Sequence, residues 1–189
     1  CMMEGISHEA FSLAGNLKLS KLIVLYDSNK ISIEGSTDIA FTDDTQKRFE
    51  SYGFQTIVVE NGNDADAVAA AIKEAKADTE RPSLIIFKTQ IGFGCPEKQG
   101  KASAHGEPLG DENILSMKKN LNWPSTEAFF VPEEVYDNYK AISAEKAKDE
   151  EAWNKLFADY CAKYPEMKAE WDKMFDMNIA KSLIDNDEY

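Results

Sequence analysis

The 189-residue chain is short of positive charge: 21 Lys and Arg stand against 34 Asp and Glu, for a formal net charge of −13. Arginine occurs only twice, at Arg48 and Arg81, and neither lies in a basic cluster. Duplex nucleic acids are held by several Lys or Arg neutralising phosphates, so this balance argues against a nucleic-acid partner. No apolar run approaches the ~20 residues that span a bilayer, and no signal-peptide pattern opens the sequence. The expectation is no membrane partner and a cytoplasmic location. Cysteine is limited to Cys1, Cys95 and Cys161, odd in number and far apart, and histidine to His8 and His105. That is too few ligands for a zinc cluster, and the cysteines read as ordinary reduced thiols. The opening Cys-Met-Met-Glu-Gly has no starting Met and enters a helix at once, so a fragment of a longer chain is expected.

What is present suffices for a core, at 43% hydrophobic and 11% aromatic residues. Ile6, Ala10, Leu13 and Leu17 share one face of a helix. Lys21–Tyr26 follows as a run too apolar on both faces for a half-exposed strand, which suits a parallel sheet covered on both sides. Thr42-Asp-Asp opens a second helix with a capping hydroxyl, and Gly53 lies just past its end. Phe54–Val59 is the second strand. Ala65, Val68, Ile72 and Ala75 line a third helix, and Ser83–Phe87 is the third strand. Strands alternating with helices predict an α/β fold, a parallel sheet with flanking helices. Beyond residue 110 the chain becomes more acidic, and Glu133–Lys163 reads as one polar helix carrying the apolar stripe Trp153, Leu156, Phe157 and Tyr160. After Tyr164-Pro165, Met167, Trp171 and Met174 continue on another helix. This stretch is expected to be a C-terminal helical extension that packs as an amphipathic arm on the α/β core, with Asp185–Tyr189 frayed.

Ligands of an open parallel sheet bind beyond the carboxyl ends of its strands, and two loops there carry polar residues. In Tyr26-Asp-Ser-Asn-Lys-Ile-Ser-Ile33, the Asn29 amide oxygen and the Ile31 carbonyl could face one hard Mg²⁺ or Ca²⁺, if a carboxylate and phosphates complete the shell. From these residues alone, a plain turn made by Asp27, Ser28 and Asn29 is the simpler account. In Thr89–Pro96, Gly92 and Gly94 allow close backbone approach, and the chain then reaches His105, where an imidazole could donate to an oxyanion, relay a proton or merely support the loop. His8 lies one turn from Glu4, a surface pair by its spacing, and Glu4 has a sufficient role as an acid at a helix N-terminus.

In order, Cys1-Met-Met-Glu-Gly-Ile-Ser-His-Glu9, Leu-Ala-Gly-Asn-Leu-Lys-Leu19, Tyr26–Ile33, Phe41-Thr-Asp-Asp44, Lys88–Gly94 and Ser103-Ala-His-Gly-Glu-Pro-Leu109 resemble the transketolase family. The resemblance runs from Cys1 to about Met174. It implies residues 1–125 as the later part of a thiamine diphosphate-binding domain and 126–189 as a helical extension towards a pyrimidine-binding domain. The family's cofactor motif, Gly-Asp-Gly closed some 25–30 residues later by Asn, would begin just before Cys1 and supply the missing metal carboxylate. On this likeness Asn29 and the Ile31 carbonyl are metal ligands, with Asn29 also near the diphosphate, and Ile33 packs on the cofactor. His105 contacts diphosphate and donor substrate, while Glu4 supports the cofactor-activating glutamate at the interface of a homodimer, with Glu9 in the same network. The implied activity moves a two-carbon ketol unit from a ketose phosphate to an aldose phosphate, in the pentose phosphate pathway, with the fragment inactive alone. Dihydroxyacetone synthase and deoxyxylulose-phosphate synthase are the alternatives within thiamine enzymes. A non-catalytic acidic interaction module is the alternative outside them.

Overall fold

The computed structural model describes residues 2–176. Cys1 and the expected frayed segment Asp185–Tyr189 lie outside the described residues. The chain divides into two compact units, Cys1–Thr126 and Glu127–Tyr189.

The first unit is built on β1 (Ile23–Ser28), β4 (Gln55–Val59) and β5 (Ser83–Lys88), parallel and in the order β1-β5-β4. Ser83 of β5 is level with Ile23 of β1 and Gln55 of β4, so all three strands start together, and β4 ends one residue before the other two. The central strand alternates its side chains between two cores, as a strand period of two requires. Leu84 and Ile86 join Ala14, Phe49 and Phe54 on one face, beneath α1 (Gly5–Asn16) and α2 (Thr45–Ser51). Ile85 and Phe87 join Val59, Ala71 and Ala75 on the other, beneath α3 (Ala65–Ala77). Phe11, Phe49 and Phe54 lock the first core, with Phe49 at 4.8 Å from Phe11 and edge-on to Phe54 at 5.1 Å between ring centroids.

Local chemistry sets the boundaries. Asp64 caps α3 by accepting from the N–H groups of Asp66 and Ala67 at 3.0 and 3.1 Å, an arrangement that contributes about 1 kcal/mol. The cap of α2 is Asp44, which accepts from the Lys47 N–H at 3.1 Å, and not the hydroxyl of Thr42. That bond and the Lys47 ammonium at 2.9 Å hold the Asp44 carboxyl below the usual carboxylate range. The first strand begins two residues later than its apolar run predicts and occupies a sheet edge, with Leu25 58% exposed. Two-sided burial belongs to the central strand, whose residues Ser83–Phe87 are all buried.

Packing, and not the apolar stripe, sets the orientation of α1. Its buried face is Ser7, Ala14 and Gly15, with Phe11 packed against the core, whereas Ile6, Leu13 and Leu17 point to solvent. Gly15 decides this orientation: a Cβ there would meet the Tyr52 carbonyl oxygen at 1.8 Å, so only glycine lets α1 lie that close to the end of α2. Between α1 and the β1 edge runs an apolar groove of about 560 Å³, bordered by Met2, Ile6, Phe11, Leu25 and Asp27.

Two further elements follow from local signals too weak for periodicity. A short antiparallel hairpin, β2 (Ile31–Ser32) and β3 (Gly35–Ser36), leaves β1, and α4 (Asp111–Asn120) follows the loop after β5. The second unit contains α5 (Glu133–Lys163) and α6 (Pro165–Phe175), the bounds the sequence pattern predicts for the long helix. Pro165 opens α6 at its first position, where its missing N–H costs nothing. Phe157 stacks on Trp153 at 5.8 Å and meets Trp171 at 5.0 Å, so the aromatic stripe joins the two helices.

Candidate functional site

The sheet order puts the exits of β1 and β5 side by side at the carboxyl ends of the strands. A hydrogen bond from the Thr89 hydroxyl to the Asp27 carboxylate ties the two exits together. At the neighbouring exit of β4, Glu60 takes both carboxylate oxygens to the Lys88 ammonium, at 2.7 and 2.8 Å. Neither pair is marked by sequence spacing, because the partners are 62 and 28 residues apart.

Asn29 sits just past β1. Its side-chain oxygen accepts from the N–H of Ile31 at 2.9 Å, which fixes the amide, and Lys30 between them holds φ at 59°. That left-handed backbone is unusual for a residue with a side chain and is tolerated where surrounding bonds enforce it. Here the Lys30 carbonyl accepts from Thr37 at 2.9 Å and closes the loop behind the hairpin. An amide oxygen has two lone pairs, so Asn29 retains one for a further donor or a cation. Ile33, at the hairpin tip, is 70% exposed, an apolar side chain with no protein surface to cover it.

His105 ends a single 3-10 turn, Ala102–Ala104, and its ring has no partner among the described residues. The preceding loop is brought back to the β5 exit by Gly92 and Gly94, at φ 64° and 85°. A Cβ on Gly92 would come within 3.1 Å of the Ala104 methyl, which places the turn carrying His105 against the start of that loop. The Asp27–Thr89 bond therefore gathers the segments of Asn29 and His105 at one end of the sheet. Glu4 caps α1 with its backbone only: its carboxylate makes no capping bond, and neither it nor the exposed Glu9 has a partner among the described residues. The first turn of α1 nonetheless borders the same groove as Asp27.

His8 does not pair with Glu4. Arg48 donates to His8 Nε2 at 2.9 Å, and because a guanidinium only donates, the ring proton sits on Nδ1, which faces the Tyr52 hydroxyl at 3.0 Å. Beside the hairpin a polar cleft of about 420 Å³ opens among Ser28, Lys30, Asp38, Asp43, Gln46 and Lys88, a feature that sequence reasoning missed because five segments contribute to it.

For a divalent cation the donor set fits in part. Among the described residues no group of three His, Cys, Asp or Glu could hold a metal. Asn29 and Ile31 offer neutral oxygens, which suit Mg²⁺ when phosphate oxygens and a carboxylate complete an octahedron.

The profile of the transketolase thiamine diphosphate-binding domain matches residues 1–180. The chain belongs to the transketolase thiamine diphosphate-binding domain family. A transketolase of Streptococcus pyogenes is 51% identical over 181 residues, covering 95% of this chain and 25% of that protein. Transketolase 1 of Escherichia coli K12 is 49% identical over 173 residues, covering 92% and 26%. Among solved structures, Pichia stipitis transketolase in complex with sedoheptulose 7-phosphate superposes with a TM-score of 0.80 at 45% identity, covering 92% of this chain and 26% of that one. Transketolase from Leishmania mexicana gives 0.81 at 39% identity, over 90% and 26%. The chain thus spans about a quarter of the length of the transketolases it matches, and its α/β fold is the thiamine diphosphate-binding fold of that family. A free-standing acidic interaction module is not favoured by this likeness, nor are the sister thiamine enzymes.

Proposed function

We propose that the chain is the later part of the diphosphate-binding domain of a transketolase, which moves a two-carbon ketol unit from a ketose phosphate to an aldose phosphate. Family membership is the observation that carries this reading; the joined exits of β1 and β5 support it, since they gather the Asn29 and His105 segments where such sheets bind ligands. When bound, thiamine diphosphate supplies the carbanion chemistry of the transfer. The residues of this chain hold and orient. Asn29 through its amide oxygen and Ile31 through its carbonyl would hold Mg²⁺ or Ca²⁺, whose charge would offset that of the diphosphate. The Ile31 N–H fixes the Asn29 amide before any ligand arrives, so little ordering is left to binding. Ile33 packs its exposed side chain on the cofactor and excludes water there. His105, with both ring nitrogens unengaged, contacts the diphosphate and the donor sugar.

Glu4 and Glu9 lie at the interface of a homodimer, where Glu4 supports the glutamate that activates the cofactor. The outward apolar face of α1, with Ile6, Leu13 and Leu17 all more than half exposed, supports burial of that helix against further protein. Residues 126–189 form the extension towards the pyrimidine-binding domain. The setting is the cytoplasmic pentose phosphate pathway. The test is to supply a full-length transketolase containing residues 1–189 with xylulose 5-phosphate, an aldose phosphate, thiamine diphosphate and Mg²⁺. Ketol transfer that requires both cofactor and metal is expected, and a protein that binds them but transfers nothing would overturn the reading.

A further inference from the structure

Arg48 has a side chain only 10% exposed, and its buried Nε has no acceptor among the described residues. The guanidinium carbon lies over the rings of both Phe41 and Phe49, at 5.5 and 5.6 Å from their centroids. For packing alone this is a poor residue: a buried charge with an unmade hydrogen bond is disfavoured against an apolar side chain of similar length. What an apolar residue could not do is span the segments that meet here. Nη2 donates to the Met2 carbonyl at 3.4 Å, in the stretch that enters α1 and also receives the Ser7 hydroxyl. Nη1 donates to His8 of α1 at 2.9 Å and to Asp43 at 3.3 Å. Phe41 and Asp43 close the loop that starts at Asn29, and that loop is knitted together by Thr37 on the Lys30 carbonyl and Asp38 on the Ser36 hydroxyl.

We propose that Arg48 is a positioning residue, which clamps the segment entering α1 to the far end of the Asn29–Asp44 loop and thereby holds Asn29 and Ile31 in their cation-binding form. The proposal rests on the reading of Asn29 and Ile31 as cation ligands. The geometry of the fork matters as much as its charge, because three partners on three segments require two terminal nitrogens in a fixed plane.

The test uses a full-length transketolase containing this sequence, with Arg48→Met, Arg48→Lys, Asn29→Ala and the core control Phe54→Leu. Thiamine diphosphate binding is followed calorimetrically as Mg²⁺ is titrated, and thermal midpoints are taken without cofactor. Arg48→Met should raise the Mg²⁺ needed for half-saturation about tenfold, the scale of lost second-layer support to a metal ligand. Arg48→Lys should fall between it and the parent. Phe54→Leu should lower the thermal midpoint with no change in Mg²⁺ requirement. Amide exchange at Thr37 and Asp38 should speed up in Arg48→Met, less so in Arg48→Lys, and not in Phe54→Leu. The proposal is overturned if Arg48→Met leaves the requirement unchanged, or if Phe54→Leu moves it equally; should Arg48→Met fail to fold, the same criterion is applied to Arg48→Lys. If Asn29→Ala itself leaves the requirement unchanged, the cation reading falls and this proposal with it. A shift with Asn29→Ala but none with Arg48→Met removes only the proposal.

Discussion

His105 carries an exposed imidazole on a loop with neither ring nitrogen engaged, so its side chain supports the fold little. His105→Ala should lower kcat/KM of the full-length enzyme about 100-fold, the scale of a lost hydrogen-bonding or proton-handling group. The unfolding free energy from urea titration should stay within about 0.5 kcal/mol of the parent; matching losses in activity and stability would assign it to loop support instead. At this scale legibility follows sequence distance. Asn29 and Ile31 are two residues apart and their turn chemistry is local, so the loop could be read from the sequence, although its ligand could be named only by family likeness. Arg48 was out of reach, because its partners His8 and Met2 lie 40 and 46 residues away. The one available signal was rarity: it is one of two arginines among 21 bases.

Among elements, the contact of α1 with the end of α2 is the most exacting. Gly15→Ala should destabilise the chain by about 3 kcal/mol, since the clash is with the Tyr52 backbone and no flexible side chain can yield. Urea unfolding measures it, and a loss below about 1 kcal/mol would show that α1 shifts freely. The turn after α3 offers a test by pH. The Arg81 guanidinium at 2.8 Å, with the Glu80 N–H, holds the Asp78 carboxyl below its ordinary range. A carboxylate whose folded pKa is depressed stabilises above its unfolded value and loses that contribution as pH falls through the folded one. Asp78→Asn should therefore flatten the decline of the urea midpoint between about pH 5 and pH 2, and an unchanged slope would contradict the ion pair. The order of helices and strands and the bounds of α5 were legible because each element is long enough for its period to show. The hairpin at 31–36 is too short for that, and the edge position of β1 is a tertiary fact. The apolar stripe of α1 was legible as one helix face, but not which face packs: the close approach at Gly15 outweighs the wider stripe, which is left outward.

Over the whole molecule, the acidic composition, the exposed stripe of α1 and the open groove beside β1 describe a domain that leaves apolar surface uncovered, and among its described residues no group of three His, Cys, Asp or Glu could hold a metal ion. It also spans a quarter of the transketolases it matches. Chain 1–189 by itself should neither turn over xylulose 5-phosphate nor retain thiamine diphosphate; turnover by the pure chain would contradict this. The central claim, that the β1 exit loop is a cofactor-metal half-site, is tested most directly by calorimetry of thiamine diphosphate binding to the full-length enzyme at limiting Mg²⁺. With Asn29→Ala the affinity should weaken about tenfold or more and recover in part with excess Mg²⁺. Unchanged affinity at limiting Mg²⁺ would contradict it.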